Sequence, residues 1–287
     1  MVMYRIGMST WNSESICDER FLEFNKAGIT DVEISVPASE CENLDYKNIL
    51  RLSKEYDVNL WSYHLPFAPF DKVNLSDKKL CKNTVAYFGE LIKKAADIGI
   101  DKIVVHSSAE PILDEERKEK IETAKESLAR LANVANQSGC VIAVEDLPRS
   151  CIGRNSDEIL ELISADPSLR VCFDTNHLLC EELVDFIKKV GNKIITTHIS
   201  DYDLINERHW MPGEGIIDWQ KVLQALKDVG YSGIWLYEIS FSTPWSIVRN
   251  RNLTSFDFIK NANEIFLGKK LSVLGKPKEN IGMWPED

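Results

Sequence analysis

Eight short apolar runs recur along the chain, each followed by a stretch that suits a helix. They are RIGMST (5–10), DVEISV (31–36), NLWSYHL (59–65), KIVVHSS (102–108), VIAVEDL (141–147), VCFDTN (171–176), KIITTHIS (193–200) and GIWLYEIS (233–240). Most are near-continuous Val, Ile, Leu and Phe until their last residues turn polar. Strands buried on both faces have this character, as in a parallel sheet covered by helices. Between them, helices are expected over 21–27, 48–56, 77–98, 114–138, from Ser156 in SDEILELI, and over 181–190, 218–229 and 247–266. Gly28, Gly99, Gly139, Gly191 and Gly230 stand where such helices stop. Alternation of this kind requires parallel strands with crossover helices.

Eight units in 287 residues fit a closed α/β fold, the (β/α)8 TIM barrel, as a single domain over 1–267. The alternative is an open doubly wound sheet. No GxGxxG follows the first strand, and even repetition favours closure. Residues 268–287, GKKLSVLGKPKENIGMWPED, read as a poorly structured C-terminal tail.

Composition narrows the partners. The net charge of −11 argues against a nucleic-acid or anionic-membrane surface. No run of about eighteen apolar residues is present, so no transmembrane helix is expected. The opening MVMYRIGMST lacks a charged stretch before an apolar one, so no signal peptide is expected. Seven cysteines, an odd number with no CxxC spacing, read as reduced thiols of a cytoplasmic protein. A homo-oligomer is compatible with a tail that packs on a partner.

Barrel enzymes build their sites at the C-terminal ends of the strands. The polar residues there are Glu33, His64, His106, Glu145 with Asp146, Asp174 with His177, His198 with Asp201, and Glu238. The fifth histidine, His209, follows in the loop after the seventh strand. A solvated surface would not confine all five histidines to one rim. Glu145, Asp174 and Glu238 sharing a partly desolvated rim would repel one another, and a divalent cation relieves that. With His198 they offer three oxygens and one nitrogen, a set that suits one Mn²⁺, Mg²⁺, Co²⁺ or Zn²⁺.

The segments HLPF (64–67), VVHSS (104–108), VEDLP (144–148), FDTNH (173–177), THISD (197–201), RHWMPGEGIIDW (208–219) and YEIS (237–240) resemble the xylose isomerase-like barrel superfamily. It includes the sugar phosphate isomerase/epimerase group and the endonuclease IV group, or AP endonuclease family 2. The resemblance implies that Glu145, Asp174, His198 and Glu238 bind a catalytic metal. It also implies that Glu145 and Glu238 are the acid and base of an isomerase or epimerase working through an enediolate. The substrate would be a small sugar, sugar phosphate or polyol ketone. His177 would contact a substrate oxygen, His64, His106 and His209 would line the pocket, and Trp11 would wall the sugar.

Two positions depart from some ketose 3-epimerases: Cys151 stands for an acid and Leu204 for an arginine. An inosose dehydratase-like lyase is therefore a further alternative. The rival reading is an endonuclease IV-like phosphodiesterase with three zinc ions. His64, His106 and Glu145 would hold one ion, the Glu145, Asp174, His198 and Glu238 set a second, and His177 and His209 with Glu207 a third. DLPRSCIG lacks the glycine- and glutamine-rich pattern of those nucleases, and MPGEGIIDW suits the sugar enzymes better.

Overall fold

The eight apolar runs become eight parallel strands. The computed structural model of the protein describes residues 4–10, 13–69, 72–279 and 281–284. The strands are β1 (Ile6–Ser9), β2 (Asp31–Ser35), β3 (Asn59–His64), β4 (Lys102–Val105), β5 (Val141–Glu145), β6 (Arg170–Asp174), β7 (Ile194–His198) and β8 (Trp235–Tyr237). They form one sheet in the order β7-β6-β5-β4-β3-β2-β1-β8. A bridge from Ile199 to Tyr237 joins its two ends. There the Ile199 N–H donates to the Leu236 carbonyl at 2.8 Å. Each strand is shorter than its apolar run, because the polar C-terminal residues leave the ladder and enter the loops above it.

The crossover helices are α1 (Asp18–Ala27), α2 (Ala38–Cys41), α3 (Tyr46–Tyr56), α4 (Cys81–Asp97), α5 (Arg117–Gln137), α6 (Ser156–Ile163), α7 (Leu183–Val190), α8 (Trp219–Asp228) and α9 (Ser255–Phe266). Local chemistry sets their ends. Asn155 caps α6 by accepting from the Glu158 N–H at 3.0 Å. Gly28, at φ 95°, closes α1 in the left-handed region. Phe173 of β6 stacks on Phe186 of α7 at 5.4 Å, one contact in the apolar shell between sheet and helices. Inside the barrel a separate small cluster of Val104, Ala143 and Cys172, with Ile195 against it, fills the axis. None of the seven cysteines is disulfide-bonded. Among the described residues, no helix is long and apolar enough to cross a membrane.

Two expectations need correction. The segment 247–266 is not one helix. Ile247–Arg249 forms a strand, β9, and α9 starts only after Thr254. The reason is local: Thr254 and Asp257 make a reciprocal capping box that fixes the helix start. The chain after α9 is also not a loose tail. Gly275–Pro277 forms β10, antiparallel to β9. A side chain at Gly275 would meet Arg249 Cγ at 2.7 Å, so the close pairing needs glycine there. Farther on, the Gly282 carbonyl accepts from Arg208 and the Met283 carbonyl from Asn206, each at 2.8 Å. The segment therefore returns to the mouth of the barrel.

Candidate active site

The parallel barrel brings the C-terminal strand residues onto one floor. Glu145, at the end of β5, is its centre and is fully buried. Its carboxylate lies 3.0 Å from His64 Nε2, 3.1 Å from His106 Nε2 and 2.9 Å from His198 Nδ1. His198 Nδ1 also faces Glu238 at 3.5 Å and Asp174 at 3.8 Å. One donor atom from each of Glu145, Asp174, His198 and Glu238 lies within 4.8 Å of the others. The four side chains expected to share an ion are thus together.

Two observations test whether a cation suits this set. Asp174 Oδ2 is buried and has no hydrogen-bond partner. An orphaned buried oxygen is costly unless something unseen satisfies it. The second observation is charge. Burial raises the Glu238 carboxyl first, and Glu145 and Asp174 add to this against the opposing pull of His198, so it is pushed up to about 8. Burial acts on Glu145 in the same sense, but His198 and His106 overcome it and hold Glu145 well below the usual range. One acid of the set therefore stays protonated where no cation is present. A cation among them would favour the ionised form of both. The donor set fits a divalent metal.

The histidine geometry agrees. His64 Nδ1 lies 2.8 Å from the Leu65 carbonyl, His177 Nδ1 2.8 Å from the Asp146 carbonyl, and His209 Nδ1 3.1 Å from the Glu238 carbonyl. A carbonyl oxygen only accepts, so in each ring Nδ1 carries the proton. In the neutral ring this leaves Nε2 as a lone pair, and for His64 and His177 that lone pair faces a carboxylate. His64 resolves the clash by gaining a proton: burial would depress it, but Glu145 and then Glu33 raise it to about 9. A metal between ring and carboxylate resolves it equally well. His177 Nε2 lies 3.1 Å from Glu207, and His177, Glu207 and His209 form a second compact donor group. His64, His106 and Glu145 form another.

Several contributors had only a position, or no mention, in the sequence reading and no role. Glu33 in β2 is buried, 3.1 Å from His198 Nε2, and so holds the far side of that ring. Only its place on a strand marked it. Asp146 accepts from the Asp174 N–H at 2.8 Å and positions that backbone. Arg149, at φ 52°, binds Glu110 through its guanidinium and reaches Asn206 and Glu207 at 2.6 and 2.8 Å. The RHWMPGEGIIDW stretch is held by Asp201, whose carboxylate accepts from the N–H groups of Gly213, Ile217 and the Trp219 indole. A Cβ at Gly215 would come within 2.3 Å of Asp201, so only glycine lets the loop fold this closely and set His209.

A cavity of about 540 Å³ opens above the floor. His64, His106, His177, His209 and Cys151 line it, whereas Leu204 lies outside the lining and is half exposed. Trp11 lies outside the described residues.

Comparison with known proteins identifies the class. The profile of the xylose isomerase-like TIM barrel family matches residues 21–257, and the chain belongs to that family. An uncharacterised protein of Methanocaldococcus jannaschii is 26% identical over 209 residues, which cover 68% of this chain and 71% of that one. The inosose isomerase of Bacillus licheniformis is 28% identical over 181 residues, 58% of this chain and 63% of that enzyme. The fructoselysine 3-epimerase of Escherichia coli O157:H7 is 27% identical over 120 residues, 40% of this chain and 44% of that enzyme. Each of these two enzyme matches spans less than two thirds of the enzyme concerned. A D-tagatose 3-epimerase-like protein superposes with a TM-score of 0.74 at 21% identity, over 92% of this chain and 96% of that one. An L-ribulose 3-epimerase superposes with a TM-score of 0.74 at 20% identity, over 93% and 94%. At such identity the superpositions show the shared fold.

Proposed function

We propose that the protein is a divalent-metal-dependent isomerase or epimerase of a sugar or related polyol ketone. The observation that carries this is the convergence of Glu145, Asp174, His198 and Glu238 around the unpartnered Asp174 Oδ2. These four residues would hold the ion, and Glu33 would fix the His198 ring from behind. A bound ion supplies Lewis-acid polarisation of a carbonyl and its neighbouring hydroxyl. Glu145 and Glu238 supply the proton transfers. One carboxylate takes the proton from the carbon beside the carbonyl, and the other returns a proton to the resulting enediolate. His177 and His209 orient substrate oxygens, with their tautomers set by the Asp146 and Glu238 carbonyls. Relatives that are sugar epimerases and an inosose isomerase support the substrate class.

The test is exchange of carbon-bound hydrogen with solvent. In D₂O the wild type should incorporate deuterium into a ketose. Glu238→Gln should lose about 10²–10⁴-fold of that rate, with metal content measured in parallel. Unchanged exchange would remove Glu238 from the mechanism.

One observation favours a second reading. Among the donor groups of the described residues, three adjoin one another: His64, His106 and Glu145; the four-residue set; and His177, Glu207 and His209, with His177 Nδ1 3.6 Å from Glu145. Three divalent ions there would suit phosphodiester hydrolysis, with bridging metals activating water. Elemental analysis decides between the two. One ion per chain supports the sugar enzyme, and three ions with EDTA-sensitive nicking of abasic DNA support the phosphodiesterase.

A further inference from the structure

The cavity has two chemically different ends. Its floor is carboxylate and imidazole, whereas its rim sets aromatic and apolar side chains beside ion-paired Arg149 and Arg208. Phe67 stacks on His106 with ring centroids 4.6 Å apart, and so joins floor to rim. Trp245, Met283 and Trp284 complete the opening. These four side chains are 42%, 39%, 37% and 47% exposed. Single exposed apolar residues need no explanation, but four around one opening mark a binding surface. The volume, about 540 Å³, is in the ~300–1,000 Å³ range of sites that bury drug-sized ligands. The acidic floor occupies only the deep end.

The cations at this opening are already committed. Arg149 binds Glu110 and Glu207 and carries the Trp284 ring 5.1 Å from its guanidinium. Arg208 binds Asp203 at 2.8 Å and the Gly282 carbonyl, with the Trp245 ring 5.6 Å away. No other lysine or arginine is among the described residues that line the cavity. A phosphate entering here would meet Glu110, Glu207 and Glu238 before it met an unpaired cation.

We infer that the substrate is a sugar or polyol ketone that lacks phosphate and carries an apolar substituent, with its reacting carbons on the floor and the substituent against Phe67, Trp245 and Trp284. This rests on the sugar-enzyme reading of the floor, but the selectivity of the rim can be measured as binding alone. The C-terminal segment, through Met283 and Trp284, becomes a specificity element. Both side chains line the cavity mouth, and their part is to grip the distal end.

Three probes with the same reacting end test it: D-fructose, D-fructose 6-phosphate and 6-O-benzyl-D-fructose. Affinity for the full-length, Mn²⁺-loaded protein is measured by calorimetry, and hydrogen exchange is followed in D₂O. The benzyl ketose should bind at least about tenfold more tightly than either other probe. Trp284→Ala and Phe67→Ala should each shrink its advantage over D-fructose about tenfold, with circular dichroism showing an unchanged fold. Equal or tighter binding of the phosphate, or an advantage unaltered in both variants, overturns the inference. If the affinity order holds but no probe exchanges hydrogen, the isomerase reading fails while the rim's selectivity stands. If exchange occurs and is fastest with the phosphate, only this inference fails.

Discussion

The barrel interior holds two layers of side chains on the same strands, and they follow opposite rules. In β4, β5 and β6 the lower layer is Val104, Ala143 and Cys172, which pack on one another, with the Cys172 thiol against His198 of the layer above. Two residues farther along each strand come His106, Glu145 and Asp174. Residues two apart share a face of a strand, so both layers belong to one geometry. The lower layer is stable because its groups are small, apolar and close-packed. The upper layer gathers like charges and leaves Asp174 Oδ2 without a partner. The contrast separates two roles: the fold is held by the first layer and the shell around it, and the second is where the proposed ligand would bind.

The comparison can be broken at either layer. The largest effect is on chemistry: Glu238→Gln should cut solvent exchange by about 10²–10⁴-fold. Next is the coupling of metal to stability. An ion at 100 times its Kd stabilises the folded state by about 2.7 kcal/mol. Asp174→Asn should abolish most of that gain in thermal melts, while leaving the EDTA-treated protein as stable as wild type or more so. A large loss of metal-free stability would show that Asp174 serves the fold. In the lower layer, Ala143→Leu should destabilise by about 1–3 kcal/mol through overpacking, with or without metal, in denaturant titrations. Glu33→Gln should weaken metal affinity about 10–100-fold by freeing the His198 ring. Unaltered affinity would make Glu33 a passive neighbour.

A separate effect is pH-dependent. In the folded, metal-free protein the Glu238 carboxyl titrates at about 8, above its ordinary 4.5. A raised acid binds more protons folded than unfolded, so its contribution is present below about 4.5 and is lost as pH rises through about 8. Wild-type stability in EDTA should therefore fall relative to Glu238→Gln over that window. A parallel pair of pH profiles would show that Glu238 has its ordinary value.

Much of the site was legible because strand ends and barrel topology are periodic. Once eight parallel strands are assigned, residues such as Glu145, Asp174 and His198 have to meet at one end. Glu33 was harder to recognise, since a lone acid inside a strand carries no pattern of its own. Arg149, Glu110 and Trp284 carried still less signal. They come from loops and from the segment after α9, whose contacts depend on three-dimensional closure. The 247–266 stretch misled for a similar reason: helix-compatible residues at 247–249 pair instead with Gly275–Pro277, a partner remote in sequence.

By itself the sequence determined the alternating parallel fold and the identity of the residues at the C-terminal end of its strands. Hydrophobic periodicity and chain order are local properties, and strand direction follows from them. Only the tertiary structure decided which histidine nitrogen faces which carboxylate, that Arg149 and Arg208 are neutralised by neighbouring acids, and that Met283 and Trp284 wall the cavity. Those outcomes depend on distances of a few ångströms between residues far apart in the chain, and electrostatic and hydrogen-bond energies change most steeply at that scale.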